Sequence, residues 1–320
     1  MTVVTYEGAQ FPVADGETVL DALLRAGQVV PYGCRAGVCH SCMMSADDAA
    51  PVRQAQAGLS DTQKALNYFL SCQCQPASPL EVKVVNAVGE KKLVEVLEKT
   101  ALSDTVYRLR LAPGLSYRPG QYVNLSRDAK LSRSYSLASL PTDPWLEFHI
   151  RHYPDGAFSS WIANELNAGD TLELQGPLGH CIYAAEANQP LLLLGTGTGL
   201  APLWGIAREA LAQGHTAPIT LVISGRSLDD CYYREELLAL AAAHDNVTVT
   251  WVLQEGEAAV QVEVADIYQY CKERFPELNG YKIYLCGAKT FVNKLRKQCF
   301  FAGAAVRDIS TDVFLQAGSL

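Results

Sequence analysis

The chain has 320 residues, 49% of them hydrophobic, and 26 basic against 34 acidic residues give a net charge of −8. This length suggests two or three domains with packed cores, and the acidic balance argues against a nucleic acid or an anionic membrane surface as partner. No stretch reaches the roughly 20 apolar residues needed to span a bilayer. The first residues lack the basic and apolar regions of a secretory signal, so we expect a reducing, cytoplasmic setting for the ten cysteines.

A cysteine-rich loop gives the strongest signal in the first region, residues 1–86. Cys34, Cys39 and Cys42 follow the spacing Cys-x4-Cys-x2-Cys, and a fourth cysteine stands further along the chain at Cys72 or Cys74. Thiolates at this spacing are typical ligands of a 2Fe–2S cluster. Zinc sites usually pair two short cysteine hooks, which fits this pattern poorly. The loop therefore predicts an iron–sulfur cluster, with Cys72 or Cys74 as the last ligand.

The elements around this loop predict a small α+β domain. Strands are expected at residues 2–6 and 10–13, a helix from about residue 19, a helical turn near 60–65, and a closing strand at 80–85. The helix has apolar residues on one face and Gly27 at its end. Periodicity alone leaves the arrangement of these elements open.

The second region, residues 87–187, consists of short strands separated by turns. Six strands are predicted at residues 93–97, 106–111, 121–125, 133–137, 146–150 and 171–175. This spacing is typical of a small antiparallel barrel. Arg133 and Tyr135 are two residues apart on one strand and share a face, where the guanidinium can bind a phosphate and the ring can lie along a flat heterocycle. An ordinary exposed pair on a barrel strand is the alternative.

The third region, residues 188–320, begins with four consecutive leucines, as expected for a parallel strand buried on both faces. Apolar strands then alternate with helices, which predicts a doubly wound α/β domain. A glycine-rich turn connects the first strand to a helix, an arrangement suited to phosphate binding; a plain strand-to-helix turn is the alternative. The residues of this turn are Gly195, Thr196, Gly197, Thr198 and Gly199.

The cysteine loop resembles plant-type ferredoxins, which implies a β-grasp fold and favours Cys72 as the fourth ligand. The second and third regions resemble the ferredoxin–NADP reductase superfamily through the run Arg133-Ser134-Tyr135-Ser136. The resemblance implies that Arg133 binds FAD pyrophosphate and that Tyr135 and Ser136 contact the isoalloxazine ring. FAD is preferred to FMN because the FMN-using relatives carry threonine in place of the serine and have a C-terminal ferredoxin.

Further segments carry the same resemblance. Gly156, Phe158 and Ser159 match a flavin-binding element at a helix start, and the glycine-rich turn matches the loop that binds the nicotinamide nucleotide. The run Tyr284-Leu285-Cys286-Gly287-Ala288 resembles the superfamily's Tyr-x-Cys-Gly-Pro, with alanine in place of the proline. This resemblance implies that Cys286 lies at the nicotinamide and aids hydride transfer together with Tyr135 and Ser136. Phe314 is a candidate flavin contact. Buried core positions are the alternative for Cys286 and Phe314.

The order of the three regions resembles benzoate dioxygenase reductase-type electron-transfer components. That resemblance implies a multidomain protein with a β-grasp ferredoxin domain, an antiparallel flavin-binding β-barrel and a doubly wound α/β nucleotide-binding domain. Electrons are expected to pass from NAD(P)H to FAD to the 2Fe–2S cluster and then to an external acceptor protein such as an oxygenase component. We expect a monomer without membrane insertion. The alternatives are a free-standing flavin or ferric reductase and a non-catalytic iron–sulfur redox sensor.

The choice between NADH and NADPH depends on the segment that begins at Arg226. An arginine here can hold a 2′-phosphate, whereas the carboxylates of Asp229 and Asp230 would repel one if they face the site. Relatives with a similar Gly-Arg include NADH users. The sequence therefore favours NADH, with NADPH as the alternative.

Overall fold

The computed structural model describes residues 2–32, 35, 37, 42–85, 90–128 and 131–314. The chain divides into two compact units, Met1–Ala87 and Val88–Leu320, each with its own hydrophobic core. Across the described ranges, no helix is both long and apolar enough to cross a bilayer.

The described part of the first unit is a mixed sheet with two α-helices, the longer of which packs into the core. Its elements are β1 (Thr2–Tyr6), β2 (Ala9–Val13), α1 (Val19–Arg25), β3 (Met43–Ala46), α2 (Asp61–Ala65), β4 (Tyr68–Leu70) and β5 (Leu80–Val84). The described strands lie in the order β2-β1-β5-β3-β4, with only β1 and β5 parallel. Thr18 caps α1 by accepting from the Asp21 N–H at 3.2 Å, and Leu20 and Leu23 are fully buried in the core of the unit.

The second unit begins with a curled antiparallel sheet. Its elements are β6 (Glu90–Ala101), β7 (Val106–Leu111), β8 (Tyr122–Asp128), β9 (Leu131–Ser136), β10 (Leu146–Arg151), α3 (Ala157–Asn164) and β11 (Thr171–Leu178). In the described residues these strands lie in the order β10-β7-β6-β11-β8-β9. The two edge strands meet where Ala138 N–H donates to the Glu147 carbonyl at 2.9 Å, so the sheet closes into the barrel that the sequence predicts.

A parallel sheet with helices on both faces completes the second unit. Its elements are β12 (Leu191–Thr196), α4 (Leu200–Ala212), β13 (Ile219–Gly225), α5 (Arg234–Ala243), β14 (Val247–Leu253), β15 (Val262–Val264), α6 (Ile267–Arg274), β16 (Lys282–Ala288), α7 (Lys289–Phe301) and β17 (Ile309–Phe314). Leu191 and Leu193 join the core that contains α4 and α5, whereas Leu192 and Leu194 join the core that contains α6 and α7. Side chains alternate along a strand, so the four-leucine run is buried on both faces of the sheet.

The order of this sheet is β15-β14-β13-β12-β16-β17 among the described strands. Successive strands run outward in one direction from β12 and in the other from β16, so the order reverses between these two strands. Ligands of open α/β sheets bind beyond the carboxyl ends of the strands at such a reversal. The glycine-rich turn follows β12 and Cys286 lies near the end of β16, so both motifs stand at this point.

A buried ionic network joins the barrel to the parallel-sheet region. The Glu147 carboxylate accepts from Arg110 Nε at 2.8 Å and from the Tyr233 hydroxyl at 2.7 Å, and it lies 3.3 Å from His149 Nε2. Burial alone would raise the pKa of Glu147, but the hydrogen bonds from His149, Tyr233 and Arg110 outweigh it and lower the pKa to about 2. Glu147 lies on β10 and Tyr233 immediately precedes α5, so the hydrogen bond between them links the barrel to the parallel-sheet region.

We predict that Glu147→Gln lowers the free energy of unfolding of the second unit by about 3 kcal/mol, because it leaves Arg110 with weaker compensation in a buried position. All four tryptophans lie in this unit, so urea denaturation followed by tryptophan fluorescence reports on it alone. Glu173→Gln is the matched control, because the Glu173–Lys91 pair is exposed and should contribute less than about 1 kcal/mol. Equal costs for the two variants would contradict this role of Glu147.

Candidate functional site

The glycine-rich turn lies directly against the end of β16. A Cβ atom at Gly199 would lie 2.2 Å from the Cys286 carbonyl oxygen, and one at Gly287 would lie 2.6 Å from the Thr196 side chain. Gly197 has a φ of +54°, which a residue with a side chain adopts only with strain. These glycines are required for the backbones after β12 and β16 to meet. The start of α4 is thereby placed at the reversal of strand order, where its N–H groups can bind an anion.

Cys286 is fully buried between two neighbouring strands, in register with Gly195 of β12 and Asp312 of β17. Its sulfur lies 3.9 Å from the sulfur of Cys181, which follows the last barrel strand. Burial raises the pKa of Cys286 well above its usual range, so the group stays a neutral thiol. Chemistry that needs a thiolate at Cys286 is therefore disfavoured.

Ser136 on β9 donates a hydrogen bond from its hydroxyl to Asp312 Oδ2 at 2.7 Å. This contact joins the barrel strand that carries the Arg-x-Tyr-Ser motif to the strand next to Cys286. The Asp312 side chain is half-buried, and desolvation raises its pKa to about 6 although the hydrogen bond from Ser136 opposes the shift. Neither Asp312 nor Cys181 belongs to a sequence motif, and only the tertiary structure brings them to the site.

Arg133 and Tyr135 form the barrel side of the site. The Arg133 side chain is exposed, Nη1 donates to the Ser132 carbonyl at 2.7 Å, and no carboxylate of the described residues lies within ion-pair distance of it. The Tyr135 ring lies 5.8 Å from the Phe158 ring, and burial raises the pKa of its hydroxyl above the usual range. A cationic group available for a phosphate and a ring beside it on one strand fit the pyrophosphate and ring system of FAD.

The start of α3 adds backbone donors to this side. Gly156 is the N-cap residue, and a Cβ there would lie 2.5 Å from the Ser159 hydroxyl oxygen. That hydroxyl accepts from the Tyr153 N–H at 3.1 Å, so it stabilises the turn before the helix. The first N–H groups of a helix have no intrahelical acceptor and can bind an anion. Phe158 is fully buried in the barrel core, so its contribution to the site is its backbone and its contact with Tyr135.

Two further predicted site residues lie at the same edge of the parallel sheet. Arg226 follows β13 and has an exposed side chain. Phe314 ends β17 two residues after Asp312, so the two side chains extend from the same face of the strand.

The predicted cluster ligands are described in part. Cys34 and Cys39 lie outside the described residues. The sulfurs of Cys42 and Cys72 are 3.2 Å apart and buried. Cys74 is fully buried in the core of the unit, 3.9 Å from the Pro51 carbonyl oxygen, and burial raises its pKa to about 12. In the described residues, the Cys42 and Cys72 sulfurs therefore lie close together, whereas the Cys74 side chain lies in the core of the unit near the Pro51 carbonyl.

Comparison with known domain families assigns a class to each region. Residues 4–77 match the 2Fe–2S iron–sulfur cluster binding domain, residues 93–183 match the oxidoreductase FAD-binding domain, and residues 193–297 match the oxidoreductase NAD-binding domain. The protein is therefore an iron–sulfur flavoprotein oxidoreductase. The predicted fold class and the predicted cofactors, a 2Fe–2S cluster, FAD and a nicotinamide nucleotide, are confirmed.

Whole-chain relatives make the assignment more specific. The chain is 31% identical over 319 residues to the Pseudomonas putida naphthalene 1,2-dioxygenase system ferredoxin–NAD(P)+ reductase component, covering 96% of each chain. It is 33% identical over 312 residues to the reductase component of the Ralstonia sp naphthalene 1,2-dioxygenase and salicylate 5-hydroxylase systems, covering 95% of each. The crystal structure of the Amycolatopsis cytochrome P450 reductase GcoB superposes with a TM-score of 0.64 at 28% identity, covering 98% of this chain and 99% of that one.

The chain belongs to the family of ferredoxin–NAD(P)+ reductase components. The resemblance that the motifs indicate is confirmed, and so is the expectation that the protein is an oxidoreductase.

We predict that Asp312→Asn removes a pH dependence from the stability of the second unit. The pKa of Asp312 is about 6 in the folded state against a usual 3.8, so the folded state retains a proton that the unfolded state releases as the pH rises from about 4 to 6. The wild-type protein should thereby lose on the order of 2 kcal/mol of stability across that interval, and the asparagine variant should not. Unfolding midpoints by tryptophan fluorescence at pH 5 and pH 7 test this. A difference between the two proteins that is the same at both pH values would contradict it.

Proposed function

We propose that this protein takes electrons from NAD(P)H through FAD to its 2Fe–2S cluster and passes them to an external acceptor protein. The observation that carries the proposal is that the glycine-rich turn, Cys286 and the Ser136–Asp312 pair meet at the reversal of strand order. FAD held there by Arg133, Tyr135 and Ser136 would supply the conversion between two-electron hydride chemistry and one-electron transfer.

On the flavin side, we assign the pyrophosphate to Arg133 and to the N–H groups at the start of α3, around Gly156 and Ser159. The available guanidinium and the helix N-terminus support this assignment. Tyr135 and Ser136 are assigned to the ring system. Because the Ser136 hydroxyl donates to Asp312, its oxygen is oriented and can still accept a hydrogen bond.

On the nicotinamide side, we assign the nucleotide phosphates to the turn at Gly197–Gly199 and the ring to the end of β16. The thiol of Cys286 and the absence of a side chain at Gly287 support a site in which the ring stacks closely and water is excluded. Phe314, which extends from the same face of β17 as Asp312, is assigned to the flavin. Arg226 is assigned to the adenosine end, because it follows the strand next to β12.

In the first unit, we assign the cluster to Cys34, Cys39, Cys42 and Cys72. Burial of Cys42 and Cys72 with their sulfurs 3.2 Å apart supports this set, and the contact of Cys74 with the Pro51 carbonyl supports its exclusion.

For the acceptor, we propose an oxygenase component or another one-electron acceptor protein in a reducing, cytoplasmic setting. The support is that one relative is named as the reductase component of a naphthalene 1,2-dioxygenase system and another as the electron transfer component of toluate 1,2-dioxygenase. Titrating the reduced protein with a candidate acceptor, while following the cluster absorption, tests whether electrons leave through the cluster.

We predict that Arg133→Ala weakens FAD binding by one to two decades, since a charge-assisted contact to phosphate contributes about 1.5–3 kcal/mol. Fluorescence titration of the flavin-free protein with FAD measures the dissociation constant. Arg307→Ala, which removes an exposed guanidinium elsewhere in the same unit, is the control and should leave the constant unchanged. An Arg133→Ala constant within twofold of wild type would rule out the assignment.

We predict that Cys72→Ser abolishes assembly of the cluster and that Cys74→Ser preserves it. Serine at position 74 can still donate to the Pro51 carbonyl, so that variant should also fold. Iron content and visible absorption of the purified variants provide the measurement, and FAD content serves as an internal control because the second unit has its own cores. Loss of iron from the Cys74 variant alone would reverse the ligand assignment.

A further inference from the structure

The loop that follows β13 is held in place by one of its two carboxylates. Asp230 Oδ2 accepts from the backbone N–H groups of Arg226 at 3.0 Å and Ser227 at 3.3 Å, and Asp230 Oδ1 accepts from Arg151 Nη2 at 3.0 Å. Both oxygens of Asp230 are therefore used within the protein. Asp230 fixes the backbone of the loop and is poorly placed to approach a bound nucleotide.

A different carboxylate lies beside the Arg226 side chain. Glu255 follows β14, and its Oε1 lies 3.2 Å from Arg226 Nε. The two backbones are also joined, because the Glu255 N–H donates to the Arg226 carbonyl at 2.8 Å. The side chains of Arg226 and Glu255 are 72% and 60% exposed, so a ligand can reach both groups.

The Arg226–Glu255 pair should affect the binding of NADH and NADPH in opposite ways. In α/β nucleotide-binding folds, the segment after the second strand meets the adenosine ribose, where a carboxylate suits a free 2′-hydroxyl and an arginine suits a 2′-phosphate. Here Glu255 accepts at the Nε edge of the only guanidinium in the segment from Ser224 to Asp230. It would also repel a phosphate dianion placed on Arg226, whereas it can accept hydrogen bonds from ribose hydroxyls.

We propose that Glu255 is the specificity-determining residue that makes this protein select NADH over NADPH, by pairing with Arg226 and repelling a 2′-phosphate. The inference rests on the proposed function, because it takes Arg226 to lie at the adenosine end of the nucleotide. Asp230 acts in this arrangement as a positioning residue for the loop.

The test measures binding of adenosine 2′,5′-bisphosphate and of 5′-AMP to the FAD-loaded protein by calorimetry. Glu255→Gln should tighten the 2′,5′-bisphosphate about tenfold, because Arg226 becomes available for a charge-assisted contact, and should change 5′-AMP less than about twofold. The gain should shrink as salt is raised, since both groups are exposed and screened. In the Glu255→Gln background, Arg226→Ala should abolish the gain.

Asp229→Asn is the matched control, because it removes the same charge from an exposed position in the adjoining loop. The assignment is overturned if Glu255→Gln leaves the 2′,5′-bisphosphate affinity unchanged, or if Asp229→Asn gives an equal gain. Stopped-flow reduction of the flavin distinguishes failure of the selectivity role of Glu255 from failure of the proposed function. If NADH reduces the flavin of Glu255→Gln at the wild-type rate without a gain for the bisphosphate, the selectivity role alone fails. If NADH reduces the flavin of neither protein, the proposed function fails as well.

Discussion

The close approach of Gly199 to the carbonyl of Cys286 is the constraint on which the nucleotide side of the site depends. A single methyl group would lie 2.2 Å from that oxygen, which belongs to the backbone and cannot rotate away. Because the contact is possible only with glycine, the turn after β12 can lie against the end of β16. That position brings the start of α4 to the reversal of strand order, where a nucleotide can bind.

Burial controls the chemistry of the groups around that contact. Desolvation keeps Cys286 a neutral thiol and raises the pKa of Asp312 to about 6, so burial disfavours the charged form of both groups. Hydride transfer needs contact, orientation and exclusion of water more than it needs a strong acid or base. At Glu147 the two effects on the pKa have the opposite outcome. Its hydrogen bonds with Arg110, His149 and Tyr233 lower the pKa more than burial raises it, so the group stays ionised.

Local patterns predicted much of this fold. The four-leucine strand was predictable because its apolar residues form a continuous run that is buried on both faces of the sheet. The helix at Lys289–Phe301 was not assigned from the sequence, although Phe291, Val292, Leu295 and Cys299 follow a helical period. Its four basic residues and lack of a side-chain N-cap obscure that pattern, and its boundaries become clear only from packing against β16.

The sequence by itself indicated three regions, a 2Fe–2S cluster and a possible phosphate site at Gly195, because cysteine spacing and a glycine-rich turn after a buried strand impose local geometry. FAD and the nicotinamide nucleotide followed from the resemblance of the Arg133 and Gly195 motifs to a known superfamily. Only the tertiary structure decided that Asp312 meets Ser136, that Cys181 lies beside Cys286, and that Glu255 pairs with Arg226. These contacts join residues that are far apart in the chain. Which residues meet in these contacts depends on how the sheets and strand ends pack, and a local sequence pattern contains no information about that packing.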